Sequence, residues 1–446
     1  MGVGKGHRRW RNLSAGMVFF QSPLFSCNRE GVVNRFAAIG CWMGLLVAFH
    51  ASVPLAQAQM VLSDEAQLSL LTIMPGDAAY SMFGHSAIRV YDPIQDIDTS
   101  FNYGTFTFGN PLVFIGQFAY GKLDYALSIQ SFTGAMHGYR LEDRPVVEQV
   151  LNLSPGQQQA IFDFLRINAL PENRYYRYDF FFDNCATRIR DVFEDVLGNA
   201  VHLTPADPGL TFRQLIDLYA VEKPFLDAGM DMGLGLPADR IATPHETMFL
   251  PDYLHQAFDG ATITIDGSIQ PLVTRTDTMA WSIESAPVEP AWPWPAIIGW
   301  LLFGLGLVLT VLDVRDKNPS RRIFDSFLFG VIGLAGVLVV FLWFISLHTV
   351  TQHNLNLLWA WPTHLILFVV LRRRWEPSWL WMYLAATALA TLILVLGWPF
   401  WAQALPPVVL PLVLLILMRS GWLAAARWRV PRSRFPVQDS SLSISN

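Results

Sequence analysis

Cys185 is the residue of this sequence whose setting best suits covalent chemistry. It follows Asp183 and Asn184, residue types that cap helix starts, and apolar residues recur after it at the spacing of a helix with one buried face. These apolar positions are Ile189, Val192, Phe193, Val196 and Leu197. The pattern predicts a thiol on the first turn of a helix, where the positive end of the helix dipole stabilises thiolate. A small buried structural cysteine is the alternative interpretation.

The segments around Cys185 predict strands first and helices later. Ile88 and Val90 alternate with Arg89 and Tyr91, which predicts a strand that ends at Asp-Pro. Ser154 followed by proline predicts the start of a helix that runs to about Asn168. The remaining predicted elements are a short helix at 66–71, a strand at 101–108, a turn at 109–111, aromatic-rich strand through 131, a strand at 146–153, helices at 212–220 and around 254–258, and a loop at 229–237.

The composition is that of a protein partly in a membrane. Of its 446 residues, 52% are hydrophobic and 15% are charged, whereas about a quarter of the residues of a soluble protein are charged. The net charge of -5 gives no reason to expect nucleic-acid binding. We find no phosphate loop and no metal-ligand spacing among His137, His202, His245 and His255, so we expect no cofactor and no metal.

Residues 1–58 are expected to be an N-terminal extension followed by a secretory signal peptide. Arg35 precedes an apolar run at 36–53, and an Ala-x-Ala site follows, with cleavage expected after Ala58. An uncleaved signal anchor is the alternative. Cys27 and Cys41 lie in this segment, so Cys185 is the cysteine expected in the mature chain, and no intramolecular disulfide is expected.

The second half of the chain predicts a helical membrane domain. Residues 59–272 form the predicted soluble domain, 273–295 a linker rich in Pro and Trp, 296–418 a domain of about five transmembrane helices, and 419–446 a basic tail. The predicted segments are 296–312, 324–346, 355–371, 379–396 and 405–418, and Asp325 is the carboxylate assigned to them. The third and fifth are short for a bilayer, so re-entrant or interfacial segments are the alternative.

Lysine and arginine predict the orientation of this domain. They occur between the first and second segments, between the third and fourth, and after the fifth, whereas the other two loops have none. By the positive-inside rule the basic loops and the C-terminus are cytoplasmic and the soluble domain is periplasmic. An exported signal peptide would place the domain on the same side.

Three stretches of the soluble region and one of the membrane region resemble a single bacterial family. They are residues 83–89 (Phe-Gly-His-Ser-Ala-Ile-Arg), 101–104 (Phe-Asn-Tyr-Gly), 178–188 (Tyr-Asp-Phe-Phe-Phe-Asp-Asn-Cys-Ala-Thr-Arg) and 354–359 (Asn-Leu-Asn-Leu-Leu-Trp). The family carries the domain called Lnb N-terminal periplasmic domain. The resemblance implies an inner-membrane protein of the bacterial envelope.

The order of histidine before Asn-Cys is similar to that of circularly permuted papain-like hydrolases, the NlpC-type and lecithin–retinol acyltransferase-like enzymes. This similarity implies an α+β, permuted papain-like periplasmic domain. Carried over to this chain, it makes Cys185 the nucleophile, His85 its base and Asn102 the residue that orients the imidazole. The backbone N–H of Cys185 would stabilise an oxyanion.

The favoured function is a membrane-anchored periplasmic thiol hydrolase or acyltransferase acting on an amide, ester or peptide bond of the envelope, in lipid or in peptidoglycan. The alternative is an envelope scaffold or binding protein whose papain-like domain is inactive. A transporter or channel is disfavoured because the apolar segments carry one carboxylate and show no repeat symmetry. The sequence identifies no protein partner.

Several polar residues have two open interpretations. Arg188 and Arg190 are expected on a solvated helix face, with Arg188 as an alternative ligand for a substrate anion. His364 is either functional or hydrogen-bonded to a neighbouring helix. The polar residues between 348 and 356 are expected to form a plain loop, or else to face the soluble domain or a lipid headgroup.

Overall fold

The computed structural model describes residues 60–106, 110–279, 291–316, 322–373 and 377–428. The expected signal peptide, its cleavage after Ala58 and the tail beyond residue 428 lie outside these ranges. The described residues from 61 onward belong to one compact unit. We call residues 61–279 the N-terminal domain and residues 291–428 the membrane domain.

The described part of the N-terminal domain contains two β-sheets. Their strands are β1 (Gln67–Ile73), β2 (His85–Asp92), β3 (Ile97–Thr105), β4 (Asp124–Ser131), β5 (Val146–Leu151), β6 (Tyr175–Arg177), β7 (Val201–His202), β8 (Thr262–Ile265), β9 (Ser268–Pro271) and β10 (Val273–Met279). The small sheet has the order β7-β8-β9. The large sheet is antiparallel and seven-stranded, with the order β10-β5-β1-β2-β3-β4-β6. The sheet therefore includes Val273–Met279, beyond the boundary expected at 272.

Eight helices of the described N-terminal domain surround these sheets. They are α1 (Pro111–Tyr120), α2 (Phe132–Leu141), α3 (Pro155–Asn168), α4 (Cys185–Leu197), α5 (Phe212–Ala220), α6 (Pro224–Gly233), α7 (Pro244–Thr247) and α8 (Pro251–Asp259). The predicted α3, α4, α5 and α8 are confirmed, as are the strands β2, β3 and β5. An α+β class is therefore correct for this domain.

Three local predictions are wrong. Residues 66–71 were expected to be helical but belong to β1, which lies between β2 and β5 and is buried on both faces. A strand buried on both faces reads as a continuous apolar run, which periodicity does not distinguish from a buried helix. The stretch before residue 131, expected to be strand, contains the helix α1. The stretch 229–237, expected to be a loop, starts inside the helix α6.

The main core lies between one face of the large sheet and the helices α3, α4 and α8. Its central side chains include Phe101, Ile161, Ile189, Phe193 and Phe258, all fully or nearly fully buried. The opposite face of the sheet is covered by α2 through Ala135 and Met136. This packing fixes α4 across β2 and β3, the two strands that carry the histidine and asparagine of interest.

In the membrane domain, four helices of the described chain are long and apolar enough to cross a bilayer. They are α9 (Trp294–Asp316), α10 (Arg322–Phe344), α12 (Leu380–Gly397) and α13 (Leu410–Trp428). The expected count of about five is not confirmed. The third predicted segment, 355–371, contains a 3-10 turn and the seven-residue helix α11 (His364–Val370).

The third segment runs antiparallel to α10 along a row of glycines. Ala360 lies against Gly336, Leu365 against Gly333 and Phe368 against Gly330, and a Cβ on any of these glycines would crowd or overlap its neighbour. Trp359 and Ala360 are completely buried. Irregular backbone is tolerated at membrane depth where protein covers it, so a short helix can replace a full span here.

An ion cluster buried among the spans corrects two assignments made from the sequence. Arg419 donates to Asp325 at 2.7 Å and to Asp313 at 3.0 Å, and all three side chains are buried. Asp313 lies just beyond the first predicted segment, 296–312, but belongs to α9, and Arg419 falls in the expected basic tail, 419–446, but belongs to α13. Buried charges need such partners, so Arg419 joins three helices and is not a loop charge.

Hydrogen bonds from the membrane domain to the backbone of the N-terminal domain hold the two domains together. The Asn354 amide donates to the carbonyls of Met232, Gly233 and Leu234 at 2.8 to 3.2 Å. Gly235 N–H donates to the Val350 carbonyl at 2.9 Å. Asn354 therefore faces the N-terminal domain, which was one of the alternatives to the plain loop expected between 348 and 356. His364 is hydrogen-bonded to the Tyr383 hydroxyl of α12, which confirms the structural interpretation of that histidine.

Candidate functional site

Asn184 starts the helix that carries the thiol. Its Oδ1 accepts from the backbone N–H groups of Ala186 and Thr187, each at 2.9 Å, and the Thr187 hydroxyl accepts from Asn184 N–H at 2.8 Å. This reciprocal capping box places Cys185 at the first helical position. The predicted helix-start cysteine is confirmed.

The Asn184 amide also fixes where this helix begins in space. Its Nδ2 donates to the carbonyls of Phe180 and Phe249, both at 2.8 Å. Phe181 and Phe249 are buried in a cluster of aromatic rings with Phe212. The run 180–182 is therefore largely core, as expected, although Phe182 remains exposed.

His85 is held at the first residue of β2 by the turn before it. Gly84 has φ of +76°, and a Cβ there would lie 2.9 Å from the Ile73 carbonyl oxygen. A non-glycine residue would be strained in this turn. Ile73 pairs with His85 across β1 and β2, so the sheet fixes the backbone of the histidine.

The structure brings Asn102 into contact with His85. His85 Nε2 lies 2.6 Å from Asn102 Oδ1. Because a carbonyl oxygen only accepts, Nε2 carries the proton and Nδ1 is left for a second partner. Asn102 lies on β3, which pairs with β2, and the register of β3 against β4 shifts just after it.

Gly104 leaves room for the thiol beside the imidazole. A Cβ at this position would lie 3.5 Å from His85 Cε1 and 3.8 Å from Cys185 Cβ. Its φ of +100° is one that side chains rarely adopt. His85, Asn102 and Cys185 are thus brought together around one glycine, and both His85 and Cys185 remain partly exposed.

The electrostatics of the site lower the pKa of the Cys185 thiol and raise that of the His85 imidazole. Burial acts to raise the pKa of the Cys185 thiol. The charge of His85, a hydrogen bond with its ring and the backbone N–H groups of Ser86 and Ala186 outweigh burial, and the pKa is lowered. Burial acts to lower the pKa of His85, but the charge of Cys185 and hydrogen bonds with Cys185 and Asn102 outweigh it, and the pKa is raised. Thiolate and imidazolium therefore stabilise each other.

Four tyrosines form an aromatic wall near the thiol, and the sequence did not identify them as part of the site. The Tyr125 ring stacks on Tyr178 with centroids 4.1 Å apart, and Tyr176 meets Tyr103 edge-on at 6.2 Å. Burial, followed by the charge of nearby groups including Cys185, raises the pKa of Tyr125 and Tyr176. These hydroxyls stay protonated and neutral at physiological pH.

Arg188 and Arg190 do not lie on a solvated face, which corrects that expectation. Arg188 makes two hydrogen bonds with the Asp183 carboxylate, at 2.5 and 2.8 Å, and its guanidinium lies 4.0 Å from the centroid of the Tyr176 ring. Arg190 is buried and donates to the His245 carbonyl. Both arginines therefore support α4, and Arg188 is occupied by Asp183.

One group of carboxylates in the described residues has the spacing of a cation site. Asp217, Asp227 and Asp231 place one oxygen each within 4.8 Å of one another. Burial, followed by repulsion from neighbouring aspartates, raises the pKa of Asp217 to about 7 and that of Asp227 to about 6. Arg213 forms an ion pair with Asp231 at 2.9 Å. Protonation of Asp217 and Asp227 and the ion pair of Asp231 with Arg213 each reduce the repulsion among these carboxylates.

The chemistry open to this arrangement is attack by a thiolate. Cys185 lies at a helix start, the ring of His85 lies beside it, and the Asn102 oxygen accepts from Nε2 of that ring, so a thiolate formed here would have a proton-accepting group next to it. The fold also defines the class of protein: an α+β domain of the periplasmic type joined to a helical membrane domain with four candidate spans.

Two family descriptions match the chain. Lnb N-terminal periplasmic domain matches residues 56–217, and Lnb transmembrane domain matches residues 288–429. The chain therefore belongs to the Lnb family, and it is a membrane protein with a periplasmic domain. Comparison with the curated proteins and with the solved structures gave no match.

Proposed function

We propose that the protein is a membrane-anchored periplasmic thiol hydrolase or acyltransferase with a permuted papain-like domain. Its substrate would be an amide, ester or peptide bond of the cell envelope, in lipid or in peptidoglycan. The observation that carries the proposal is the contact of His85 with Asn102 at 2.6 Å beside a cysteine whose pKa is lowered. Perturbed pKa values of this kind concentrate at functional sites.

In the first half-reaction, Cys185 Sγ attacks the acyl carbonyl carbon and forms the C–S bond. The carbonyl oxygen becomes an oxyanion, which the Cys185 backbone N–H would stabilise. Collapse of this intermediate breaks the bond to the leaving nitrogen or oxygen. His85 gives its proton to that atom, and a thioester of Cys185 remains.

In the second half-reaction, water or another acceptor attacks the thioester. His85 removes the proton of the attacking oxygen or nitrogen, the C–S bond breaks, and Cys185 returns as thiolate beside the protonated ring. Asn102 accepts from His85 Nε2 throughout, so it favours the imidazolium that forms in each cycle. Attack by water gives hydrolysis, and attack by a second acceptor gives acyl transfer.

In the proposed orientation the protein lies in the inner membrane. Its N-terminal domain is in the periplasm and its C-terminus is in the cytoplasm. Arg322 and Arg373 support this orientation, since they lie together at one end of the spans. Asn354, which contacts the N-terminal domain, lies between α10 and α11, and therefore at the end of these helices opposite to the two arginines. Basic residues are retained on the cytoplasmic side.

The test is the pH dependence of Cys185 alkylation by iodoacetamide in the full-length protein, with Cys27 and Cys41 replaced by serine. Because the pKa of Cys185 is lowered and that of His85 is raised, we expect the rate to rise at a pH below about 8.5, the ordinary thiol value. In His85→Ala the rise should move to higher pH. An unreactive or ordinary thiol that ignores His85→Ala would refute the proposal.

The alternative function is a non-catalytic envelope scaffold. The bonds from Asn354 and Gln403 to the backbone of the N-terminal domain favour it, because a simple anchor does not need them. In that case Cys185→Ala would leave the function in cells intact. Loss of function in folded Cys185→Ala would instead support the enzyme.

A further inference from the structure

The helix α1 exposes apolar side chains on two opposite sides. Its sequence contains no charged residue. Among its described side chains, Val113 is 56% exposed, Ile115 60%, Phe118 45% and Tyr120 37%. With 3.6 residues per turn, these four positions do not share one face. A helix with apolar side chains on opposite faces is ordinarily buried in a core or in a membrane. Apart from its chain neighbours and the helix's own backbone, no atom of the described residues lies within 4 Å of a Cβ built on Gly116.

The end of α1 is fixed where the span α10 ends. The Ser346 hydroxyl donates to the Ala119 carbonyl at 2.7 Å, Leu347 N–H donates to the Tyr120 carbonyl at 2.8 Å, and His348 Nε2 lies 2.7 Å from the Phe118 carbonyl. These three residues lie just after α10 (Arg322–Phe344). The last backbone carbonyls of α1 are therefore satisfied by the membrane domain.

The contact continues through Gly121, which leaves no space for a side chain. Its φ is +76°, and a Cβ would lie 3.2 Å from Leu347 Cβ and 3.3 Å from His348 N. Arg177 donates to the Gly121 carbonyl at 3.0 Å. Phe344 and Ile345, beside this junction, are themselves 67% and 54% exposed. The apolar surface of α1 is thus continuous with the lipid-facing surface of a span.

We propose that α1 is embedded in the outer leaflet of the bilayer and is a second, non-spanning membrane contact of the N-terminal domain. Its 10 residues extend about 15 Å, half the thickness of the hydrocarbon core, so it reaches into one leaflet and does not cross. Tyr120 at the junction is a residue type that favours the interface. Since α1 lies in the chain between β3, which carries Asn102, and β4, this contact holds the candidate site at the membrane surface.

The test measures the depth of labelled side chains in full-length protein reconstituted in phosphatidylcholine–phosphatidylglycerol vesicles. Single-cysteine variants, with Cys27, Cys41 and Cys185 replaced by serine, carry bimane at Ile115, Ile167 or Val331. Ile167 at the end of α3 is a matched control, because it is also 60% exposed. Val331 on α10, 62% exposed, is the lipid-facing reference. Each label is quenched with brominated lipid and, separately, with aqueous iodide.

We expect brominated lipid to quench the label at Ile115 to an extent close to that at Val331, and to leave the label at Ile167 unchanged. Iodide should give the reverse order. Quenching of Ile115 by iodide alone, as at Ile167, would overturn the proposal because α1 would face water. Protection of Ile115 from both quenchers would also overturn it and would indicate that protein covers α1.

Discussion

Two opposing effects act on the pKa of the Cys185 thiol, and the polar groups around the thiol decide which effect prevails. Burial disfavours thiolate, whereas His85 and two backbone N–H groups favour it. The balance depends on the imidazole keeping its Nδ1 free for the thiol. That in turn depends on Asn102, whose side-chain oxygen accepts a hydrogen bond from Nε2–H. We therefore expect Asn102 to influence the reactivity of the sulfur through the ring of His85.

Asn102→Ala should raise the pKa of Cys185 and lower that of His85, because the hydrogen bond to Nε2–H is lost. A hydrogen bond to a charged group contributes about 1.5–3 kcal/mol, so alkylation at neutral pH should slow by roughly ten- to a hundredfold. The measurement is the pH profile of alkylation. Asn152→Ala, which removes an amide bonded to Gln270 instead, is the control and should leave the profile unchanged. An identical profile for both variants would contradict the role of Asn102.

At the scale of elements, the position of Cys185 depends on how α4 begins. Asn184 makes two bonds to the first turn and two to the carbonyls of Phe180 and Phe249. The cap thus joins the helix to the aromatic cluster under it. A serine cap at α3, Ser154 with Gln157, has the same reciprocal pattern but lies away from the site.

Asn184→Ala should lower the free energy of unfolding by about 2–4 kcal/mol, since it removes a cap and leaves buried carbonyls unpaired. It should also raise the pKa of Cys185, because the first turn no longer holds the thiol. Ser154→Ala is the matched control: it should cost about 1 kcal/mol with no change in alkylation. Denaturation of the full-length protein and the alkylation profile measure the two effects. Equal alkylation by both variants would show that the cap does not position the thiol.

Local signals in the sequence account for the elements that were predicted correctly. The caps Ser154 and Asn184 and the alternation in β2 are read within a few residues, so α3, α4 and β2 could be found. The run in β1 could not be assigned because its burial on both faces results from pairing with β2 and β5. The apolar residues of α1 lack the helical spacing of one buried face, so its sequence resembles that of a strand.

The candidate site was predictable in part for the same reason. The cap predicts Cys185 at a helix start, whereas the assignment of His85 depends on the resemblance. Asn102 required the resemblance, because its contact with His85 depends on the pairing of β2 with β3. The role of Gly104 and the tyrosine wall could not be predicted, because the bulge in β3 and the stacking of Tyr125 on Tyr178 are tertiary features.

At the scale of the whole molecule, each of the two domains packs a side chain into the hydrophobic core of the other. Met232 of the N-terminal domain packs on the membrane core, and Val350 of the membrane domain packs in the aromatic cluster with Phe181 and Phe249. A Cβ on Gly235 would overlap the Gln352 carbonyl, so the two backbones touch directly. Because Asn184 is bonded to the Phe249 carbonyl, this cluster connects the membrane domain to the start of α4.

Asn354 is the residue that most directly tests this connection. It is 1% exposed, and its amide donates to three carbonyls at the end of α6, the first at 2.8 Å. In Asn354→Asp an acceptor of the same shape would face those carbonyls, which is more unfavourable than loss of the amide in Asn354→Ala. Hydrogen–deuterium exchange of full-length protein should therefore increase over Pro224–Gly233 in the order wild type, alanine variant, aspartate variant.

The large sheet should exchange as in the wild type in both variants, because its hydrogen bonds do not involve this contact. Asn173→Ala is the control, since Asn173 donates to one exposed carbonyl, that of Ile167. If the membrane domain supports the candidate site through the aromatic cluster, exchange at the start of α4 should rise together with that of α6. Faster exchange in α6 with an unchanged α4 would restrict the membrane domain to anchoring, and the site would then depend on the N-terminal domain alone.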